Sequence, residues 1–341
     1  MKKNKYFSLL ILALGLLVFS ACGKKPVEEI LFPQIDGDWW QVVGNPMDHR
    51  FATPRQEPVD FSVWQAADGT WQIWSCMRKT LSGGEEGHTR FFYRWEGRNI
   101  TDSDWTPMGI AMDADPAYGE TPGGLQAPHV IRIGDTWHMF YGDWVNICQA
   151  TSSDGKNFTR VIQESGIAGM FSEGPEAHTR DVMLMNHDGL WYAYYTGRIF
   201  ETPEKLLGQV WVRTTTDFVG WSDPEIVSFG GQSGRGSGSS ECPFVVKLDE
   251  DHFYLFKTQT YGRYDRAKDD LRNRGLPQTS VYFSMAPNMF GIDEDEEYFQ
   301  GHMVVAAPEI VLHEGQYYIF ALNTHQLDGL RAAKLKWVPK K

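Results

Sequence analysis

The stretch DVMLMNHDGLWYAYYTG, residues 181–197, combines a short apolar run, a polar turn and an aromatic run. Two strand-like runs joined by a short turn rich in Asp, Asn or Gly predict a β-hairpin. Four other segments share this pattern, at residues 60–76, 127–143, 242–258 and 307–323. Their first residues lie 54 to 67 positions apart along the chain. The chain therefore contains five copies of one hairpin.

Further strand-like pieces lie between these hairpins, as in residues 147–158 and 209–221, so each repeat holds about four strands. No long segment shows the apolar spacing of a helix. Four-stranded repeats of about 60 residues are typical of propeller blades, and five of them predict a five-bladed β-propeller. A β-sandwich with accidental similarity between its hairpins is the alternative fold.

The N-terminal segment reads as a targeting sequence. Three lysines within the first five residues precede an apolar run over residues 6–20, which is too short for a comfortable membrane span. The run ends in FSAC, where Cys22 resembles the lipidated cysteine of bacterial lipoproteins. We expect a lipoprotein signal over 1–22, a linker over 23–34 and one catalytic propeller over 35–341. Ordinary signal cleavage is the alternative. If Cys22 is lipidated, we expect a lipid-anchored monomer on the bacterial cell envelope, in the periplasm or at the outer-membrane surface.

The amino-acid composition limits the classes of partner and cofactor that the protein is expected to bind. The 341 residues carry a net charge of −12, which argues against a nucleic-acid partner because such a partner needs a basic surface. The hydrophobic content of 42% is enough to build a large core. The sequence contains no Cys-x-x-Cys spacing, so it does not predict a zinc site. Cys76, Cys148 and Cys242 leave open one disulfide or buried free thiols.

Three acidic residues fall at equivalent places in the repeat. Because the first strand of each blade lines the propeller axis, the first residues of the five hairpins are expected near one mouth of the axis. Asp60 and Asp181 are first residues, and Glu241 directly precedes a third. Gathered carboxylates repel one another, which raises pKa values and costs stability. A turn cap or an exposed loop is the structural alternative for each residue. Their grouping predicts a catalytic site.

At these residues the chain resembles the five-bladed glycoside hydrolases of family 43, with features of family 32. DFSVW from Asp60 is similar to the family-43 motif that carries the base, with Phe61 in place of proline. TRDV around Asp181 and ECP from Glu241 are similar to the family-32 motifs for a transition-state stabiliser and the general acid. The Asn-Asp-Pro-Asn type motif of family 32 is absent from blade one, which makes a fructan hydrolase less favoured. The resemblance covers about residues 35–335.

The resemblance implies a hydrolase that cleaves glycosidic bonds in plant or algal oligo- or polysaccharides, and the N-terminal pattern predicts that it is secreted and lipid-anchored. The resemblance implies Glu241 as the general acid, Asp60 as the base and Asp181 as a third group that keeps the acid protonated and oriented. Its likeness to family 43 favours inversion at the anomeric carbon. No cofactor is required, although a structural calcium near His325 is compatible with related enzymes. A surface glycan-binding propeller without catalysis is the alternative function.

Further residues are candidates for contact with the sugar, which binds by stacking on aromatic faces and by hydrogen bonds. They are His129, Arg180, Trp64, Trp144, Arg235 and Phe244, with Trp39 and Trp40 as additional aromatic candidates. Arg235 belongs to the glycine- and serine-rich residues 230–240, predicted to form an active-site loop that brings Glu241 to the axis. His129 and His178 are also minor candidates for the acid, because the acid can be a histidine in related neoagaro-oligosaccharide hydrolases. Glu309 is expected to line the cavity without a catalytic role.

Overall fold

The computed structural model describes residues 30–85, 87–202, 205–261, 275–323 and 328–340. Within these ranges, 21 β-strands form five antiparallel sheets, and helical structure is limited to two short 3-10 turns. This architecture confirms the five-bladed β-propeller predicted from the repeat. In the same ranges no helix is long and apolar enough to cross a membrane. The predicted lipid attachment at Cys22 and the predicted contact of His325 lie outside the described residues.

Each blade is one sheet. Strand β1 (Leu31–Val43) comes first in the chain but belongs to the last blade. Blade one contains β2 (Glu57–Gln65), β3 (Trp71–Arg78), β4 (Phe91–Gly97) and β5 (Thr106–Met112). Blade two contains β6 (Gln126–Ile133), β7 (Thr136–Gly142), β8 (Ile147–Ser152), β9 (Thr159–Arg160) and β10 (Gly169–Phe171). Blade three contains β11 (Arg180–His187), β12 (Leu190–Thr202), β13 (Lys205–Thr215) and β14 (Glu225–Ser228).

The last two blades complete the ring. Blade four contains β15 (Glu241–Lys247), β16 (Phe253–Thr260), β17 (Gln278–Ser284) and β18 (Phe299–Met303). Blade five contains β19 (Glu309–His313), β20 (Gln316–Leu322), β21 (Leu330–Pro339) and β1. The innermost strands β2, β6, β11, β15 and β19 contact one another around the axis. Any residue near the start of an innermost strand therefore faces its equivalents in the other blades.

Blade five closes the propeller by joining the two ends of the chain. Strand β1 pairs antiparallel with β21, from Leu31 opposite Pro339 to Val43 opposite Leu330. The strand begins at Leu31, four residues before the predicted start of the propeller at residue 35. Trp39 and Trp40 lie on this outermost strand, which corrects their assignment to the sugar site because the width of blade five separates them from the axis.

The five ring residues, defined as Asp60, Ala127, Asp181, Cys242 and Ala307, share one unusual backbone conformation. Their φ angles are 31°, 43°, 58°, 47° and 46°, in the left-handed region that residues with a side chain seldom adopt. In blades one to four the pairing of the first two strands is interrupted there, as expected for a β-bulge. The hairpin alignment read from the sequence is thus correct to the residue. Such bulges often re-aim side chains next to active sites.

Trp64 belongs to the core between blades one and two, which corrects its assignment to the sugar site. It lies four residues beyond Asp60, or about 13 Å along the strand. Its ring packs on Trp74 and Phe158, with centroid distances of 5.9 Å in both cases. Its indole N–H donates to the carbonyl of Gly155 (2.8 Å). Large buried aromatic residues of this kind fill the spaces between blades.

Blades three and four are joined by a buried lysine. Lys257 on β16 has no exposed surface, and its Nζ donates to Ser228 Oγ on β14 (2.9 Å). The same Nζ lies 4.9 Å from the ring centre of Tyr282. Burial lowers the pKa of Lys257 to about 7, against the opposing attraction of Asp295. The charged form of Lys257 therefore destabilises the folded protein.

This lysine should make stability depend on pH. Between about pH 7 and the ordinary lysine pKa near 10.4, the unfolded chain holds a proton that folded Lys257 has released. Stability from this group therefore rises with pH, by at most about 1.4 kcal/mol per pH unit. We expect Lys257→Met to be most stabilising relative to wild type at or below pH 7, with the gain shrinking towards pH 10. Urea unfolding at both pH values measures this difference. The exposed Lys336→Met is the control, and parallel pH profiles for wild type and Lys257→Met would contradict the expectation.

Candidate active site

A pocket of about 330 Å³ lies on the propeller axis. All five innermost strands or the turns before them contribute to its wall, because the lining includes every ring residue. The lining also includes three apolar residues and one acidic residue, namely Phe61, Met183, Phe244 and Glu309. Two carboxylates, Asp60 and Asp181, line this pocket as predicted.

Asp60 is held by two donors from blade four. Its Oδ1 accepts from Cys242 Sγ (3.1 Å) and from the Tyr261 hydroxyl (3.3 Å). Oxygen atoms of Asp60 and Asp181 and the sulfur of Cys242 all lie within 4.8 Å of one another. Burial, and next the negative charge of Asp181, raise the pKa of Asp60, while Arg90 acts in the opposite direction. Asp60 therefore holds its proton to a higher pH than an ordinary aspartate does.

Arg180 binds the other two carboxylates. Its Nη2 donates to Glu241 Oε1 (2.7 Å), and its Nε lies 3.5 Å from Asp181 Oδ2. The backbone N–H of Cys242 also donates to Asp181 Oδ2 (3.1 Å). Burial opposes the charge of Arg180, but the two carboxylates outweigh it and raise the pKa of the guanidinium. The pairing matters because an isolated charge at this depth would be strongly unfavourable.

The three predicted carboxylates thus meet at one end of the axis, although not in one plane. Asp60 and Asp181 are ring residues, whereas Glu241 lies one residue before the ring residue of blade four. Glu241 is not among the residues that line the pocket; it lies beside the pocket, against Arg180. There it accepts from the permanently charged guanidinium of Arg180 at 2.7 Å.

A hydrogen-bonded row runs along the same side of the mouth, and sequence reasoning missed half of it. Arg90 Nη1 donates to Gln126 Oε1 (2.8 Å), and Gln126 Nε2 lies 2.9 Å from His178 Nε2. Arg180 Nη1 donates to the His178 carbonyl (3.0 Å), and Arg180 then reaches Glu241. Gln126 occupies the position in blade two that Glu241 occupies in blade four. The repeat alignment contained that signal, whereas nothing local marked Arg90.

Phe244 and His129 each lie two positions after a ring residue, on the innermost strands of blades four and two. Phe244 lines the pocket as predicted and is 9% exposed. His129 is buried, with its ring 6.3 Å from that of Phe244 and its Nδ1 3.9 Å from Glu309 Oε1. Burial raises the pKa of Glu309, against the opposing effect of His129. His129 therefore faces Glu309 in the interior, and Glu309 lines the cavity as expected.

Trp144 lies beside the hydrogen-bonded row. Its ring stacks on His88 with a centroid distance of 3.4 Å and lies 4.2 Å from the ring of His178. The guanidinium carbon of Arg90 is 5.2 Å from the centre of the Trp144 ring. The backbone of Trp144 has a φ of 88°, a strained value for a residue with a bulky side chain. This placement keeps Trp144 as a candidate wall of the mouth, partly covered by His88.

Arg235 does not join the carboxylates, which corrects its assignment to the sugar site. Its Nη1 pairs with Asp293 (3.1 Å), and its guanidinium lies 4.6 Å from the ring centre of Phe229. The side chain is 46% exposed. Arg235 is therefore a partly exposed residue that contacts a surface carboxylate and an aromatic ring.

The glycine- and serine-rich residues 230–240 connect blade three to blade four as predicted. Gly231 has a φ of 55°, and a Cβ there would collide with the Asp295 carboxylate. The next backbone N–H, of Gln232, donates to both oxygens of Asp295 (3.2 and 3.1 Å). The segment is therefore a packed loop, and it ends directly before Glu241.

The cysteines that the structure describes are all free. Cys76 and Cys148 are buried, and Cys242 is partly buried at the pocket. Of the two alternatives left open by the sequence, the structure has thiols. Burial raises the pKa of Cys242, and so do Asp181 and Asp60, which keeps this thiol protonated as a donor to Asp60. Neither this role of Cys242 nor the position of Tyr261 was predicted.

Solved structures supply the comparison that sequence does not, because no family model and no curated protein matches this chain. A thermostable family-43 glycoside hydrolase is 17% identical, with a TM-score of 0.57 over 87% of this chain and 92% of its own. A family-32 β-fructofuranosidase of Bombyx mori is 14% identical, with a TM-score of 0.50 over 90% of this chain and 62% of its own. A family-130 protein is also 14% identical, with a TM-score of 0.60 over 93% of this chain and 98% of its own.

The family-130 structure is described under mannoside phosphorylases that include glycoside hydrolases targeting β-1,2-mannosidic linkages in Candida mannan. The three comparisons agree on one fold at low sequence identity. The chain has the five-bladed propeller that glycoside hydrolases of families 43, 32 and 130 share.

Proposed function

We propose that the protein is a glycoside hydrolase that cleaves oligo- or polysaccharides by carboxyl acid/base catalysis. The observation that carries the proposal is the meeting of Asp60, Asp181 and Glu241, which come from blades one, three and four. Three carboxyl groups at one end of an axis repel one another, and a fold with no use for them would gain stability by replacing them. The shared propeller of glycoside hydrolases supports the same function.

The chemistry requires one carboxyl group to donate a proton to the leaving oxygen and another to activate water. We assign Glu241 as the acid and Asp60 as the base, with inversion at the anomeric carbon. Cys242 and Tyr261 donate to one oxygen of Asp60 and leave its other oxygen for the attacking water. Asp181 shares Arg180 with Glu241 and so orients the acid.

These roles predict an acidic limb in the pH profile. The base must be ionised, and burial together with Asp181 raises the pKa of Asp60. We therefore expect kcat/KM to rise with pH through a pKa above the ordinary value for aspartate. A limb at or below the ordinary aspartate pKa would contradict Asp60 as the base. The measurement is kcat/KM against pH on one aryl glycoside.

Secretion, anchoring through Cys22 and a plant or algal substrate are further parts of this proposal. They rest on the N-terminal sequence pattern and on the resemblance of the motifs. Metabolic labelling with a radioactive fatty acid tests the anchor, because a Cys22→Ala variant should carry no label. Labelling that persists in the variant would overturn the attachment site.

The test of the function is a panel of synthetic aryl glycosides and natural oligosaccharides, with release of the aryl group or of reducing ends as the readout. Hydrolysis of at least one substrate by the wild type, lost in the carboxyl variants described in the Discussion, supports the proposal. The alternative is a glycan-binding propeller in which the carboxylates only accept hydrogen bonds from sugar hydroxyls. It predicts binding of an oligosaccharide, measured by calorimetry, without release of reducing ends.

A further inference from the structure

The unusual group at the mouth is Arg90, a partly buried arginine with spare hydrogen-bond donors. Resting on the proposed function, we propose that the sugar bound at this mouth carries an anionic substituent, a carboxylate or a sulfate, which binds Arg90. This assigns a substrate class to the site: acidic glycans.

Arg90 differs in its surroundings from the four arginines that pair with a glutamate. Four buried or partly buried arginines each pair with a glutamate at 2.6 to 2.9 Å, namely Arg78, Arg160, Arg180 and Arg213. Within the described part of the chain, Arg90 has no carboxylate at ion-pair distance and uses only Nη1, which donates to Gln126. Its Nε and Nη2 donors face no described acceptor. A guanidinium presents such donors in the planar geometry that suits a carboxylate or a sulfate.

The row beside Arg90 fixes it in place before any ligand arrives. Gln126 Oε1 accepts from Arg90 Nη1, and the same amide group contacts His178 Nε2 through its nitrogen (2.9 Å) and its oxygen (3.1 Å). The ring of Trp144 packs beside the guanidinium. A donor that is already oriented loses little conformational entropy when it binds, which favours affinity.

Positive charges gather around His178, on the side of the mouth where Arg90 lies. Burial lowers the pKa of His178, and the positive charges of Arg180, Arg198 and Arg90 lower it further. Positive potential therefore surrounds this histidine, in a chain whose net charge is −12. Arg180 is already matched by Glu241 and Asp181. Among the residues that the structure describes, Arg90 has no carboxylate at ion-pair distance, and it lies close enough to Asp60 to influence the pKa of that carboxyl group.

Calorimetric titration of the full chain tests this. The probes are D-glucuronate, D-galacturonate and galactose 6-sulfate, with glucose and galactose as neutral counterparts and inorganic phosphate as a free anion. We expect at least one acidic sugar to bind wild type at least about 10-fold more tightly than its neutral counterpart, the effect of a charge-assisted hydrogen bond. Arg90→Gln should remove that difference, while the exposed Arg132→Gln should keep it.

Each other outcome is decisive. No preference for any acidic sugar, or the same preference in Arg90→Gln, overturns the inference. Binding of phosphate that depends on Arg90, without a preference for acidic sugars, overturns it in favour of a site for a free anion. If neutral aryl glycosides are hydrolysed but no acidic sugar is preferred, the inference about acidic glycans is wrong and the proposed hydrolase function stands. Binding of an acidic sugar that depends on Arg90, with no hydrolysis of its aryl glycoside or of any other, removes the proposed function alone.

Discussion

Replacing Glu241 by glutamine, or Asp60 by asparagine, is expected to lower kcat for glycoside hydrolysis by about 100- to 10,000-fold, the range of a positioned general acid or base. Glutamine keeps the shape of Glu241 and its contact with Arg180, but it has no proton to donate. Asparagine at residue 60 likewise cannot take a proton from water. The measurement is the initial rate on the best substrate of the panel.

Controls separate catalysis from folding. Circular dichroism and thermal unfolding should show that both variants remain folded, and the exposed Glu250→Gln, whose partner is Lys247, should keep wild-type turnover. Wild-type turnover in either Glu241→Gln or Asp60→Asn would remove that residue from the mechanism.

The nature of the leaving group then distinguishes the two roles. An acid is least needed when the leaving group is already a weak base, so Glu241→Gln should lose much less activity on a dinitrophenyl glycoside than on an alkyl glycoside. Asp60→Asn should lose similar activity on both. The reverse pattern would exchange the roles. That exchange is the specific rival, because Asp60 has the raised pKa and Glu241 has the ion pair with Arg180.

Replacing Arg180 by methionine is expected to cost about 3–5 kcal/mol of the free energy of unfolding, the effect of removing one partner from a buried ion pair. Arg180 and Asp181 have only 5% and 4% of their side-chain surface exposed. Without the guanidinium, Asp181 and Glu241 would face each other and Asp60 with no cation in contact. Urea unfolding at pH 7 measures the loss.

The same variant carries an internal check. Lowering the pH should reduce the difference between wild type and Arg180→Met, because protonated carboxyl groups need no cation. Arg132→Met is the control, since its side chain is 55% exposed and surface changes shift stability by about 0.5 kcal/mol or less. A loss for Arg180→Met no larger than for Arg132→Met would show that the carboxylates do not depend on this arginine.

Much of the fold was readable because each blade is a local pattern. A strand, a turn and an aromatic strand lie within 17 residues, so the hairpin appears in the sequence without knowledge of distant contacts. Aligning five such hairpins placed Asp60 and Asp181 at equivalent positions of two blades. In the structure all five ring residues, at these equivalent positions, have a positive φ angle. The grouping of Asp60, Asp181 and Glu241 followed from that alignment.

The sequence by itself determined the propeller, the ring positions and the identity of the carboxylates, because repeats and spacing are properties of the chain. Only the tertiary structure decided what surrounds them. Cys242 meets Asp60 across 182 residues, and Arg90 meets Gln126 from a neighbouring blade. Composition could not tell that Trp64 is core and Arg235 surface, since both residue types suit a sugar site. Which groups meet depends on the direction of each side chain after the bulges and on how five blades pack, and neither is encoded in a short stretch of sequence.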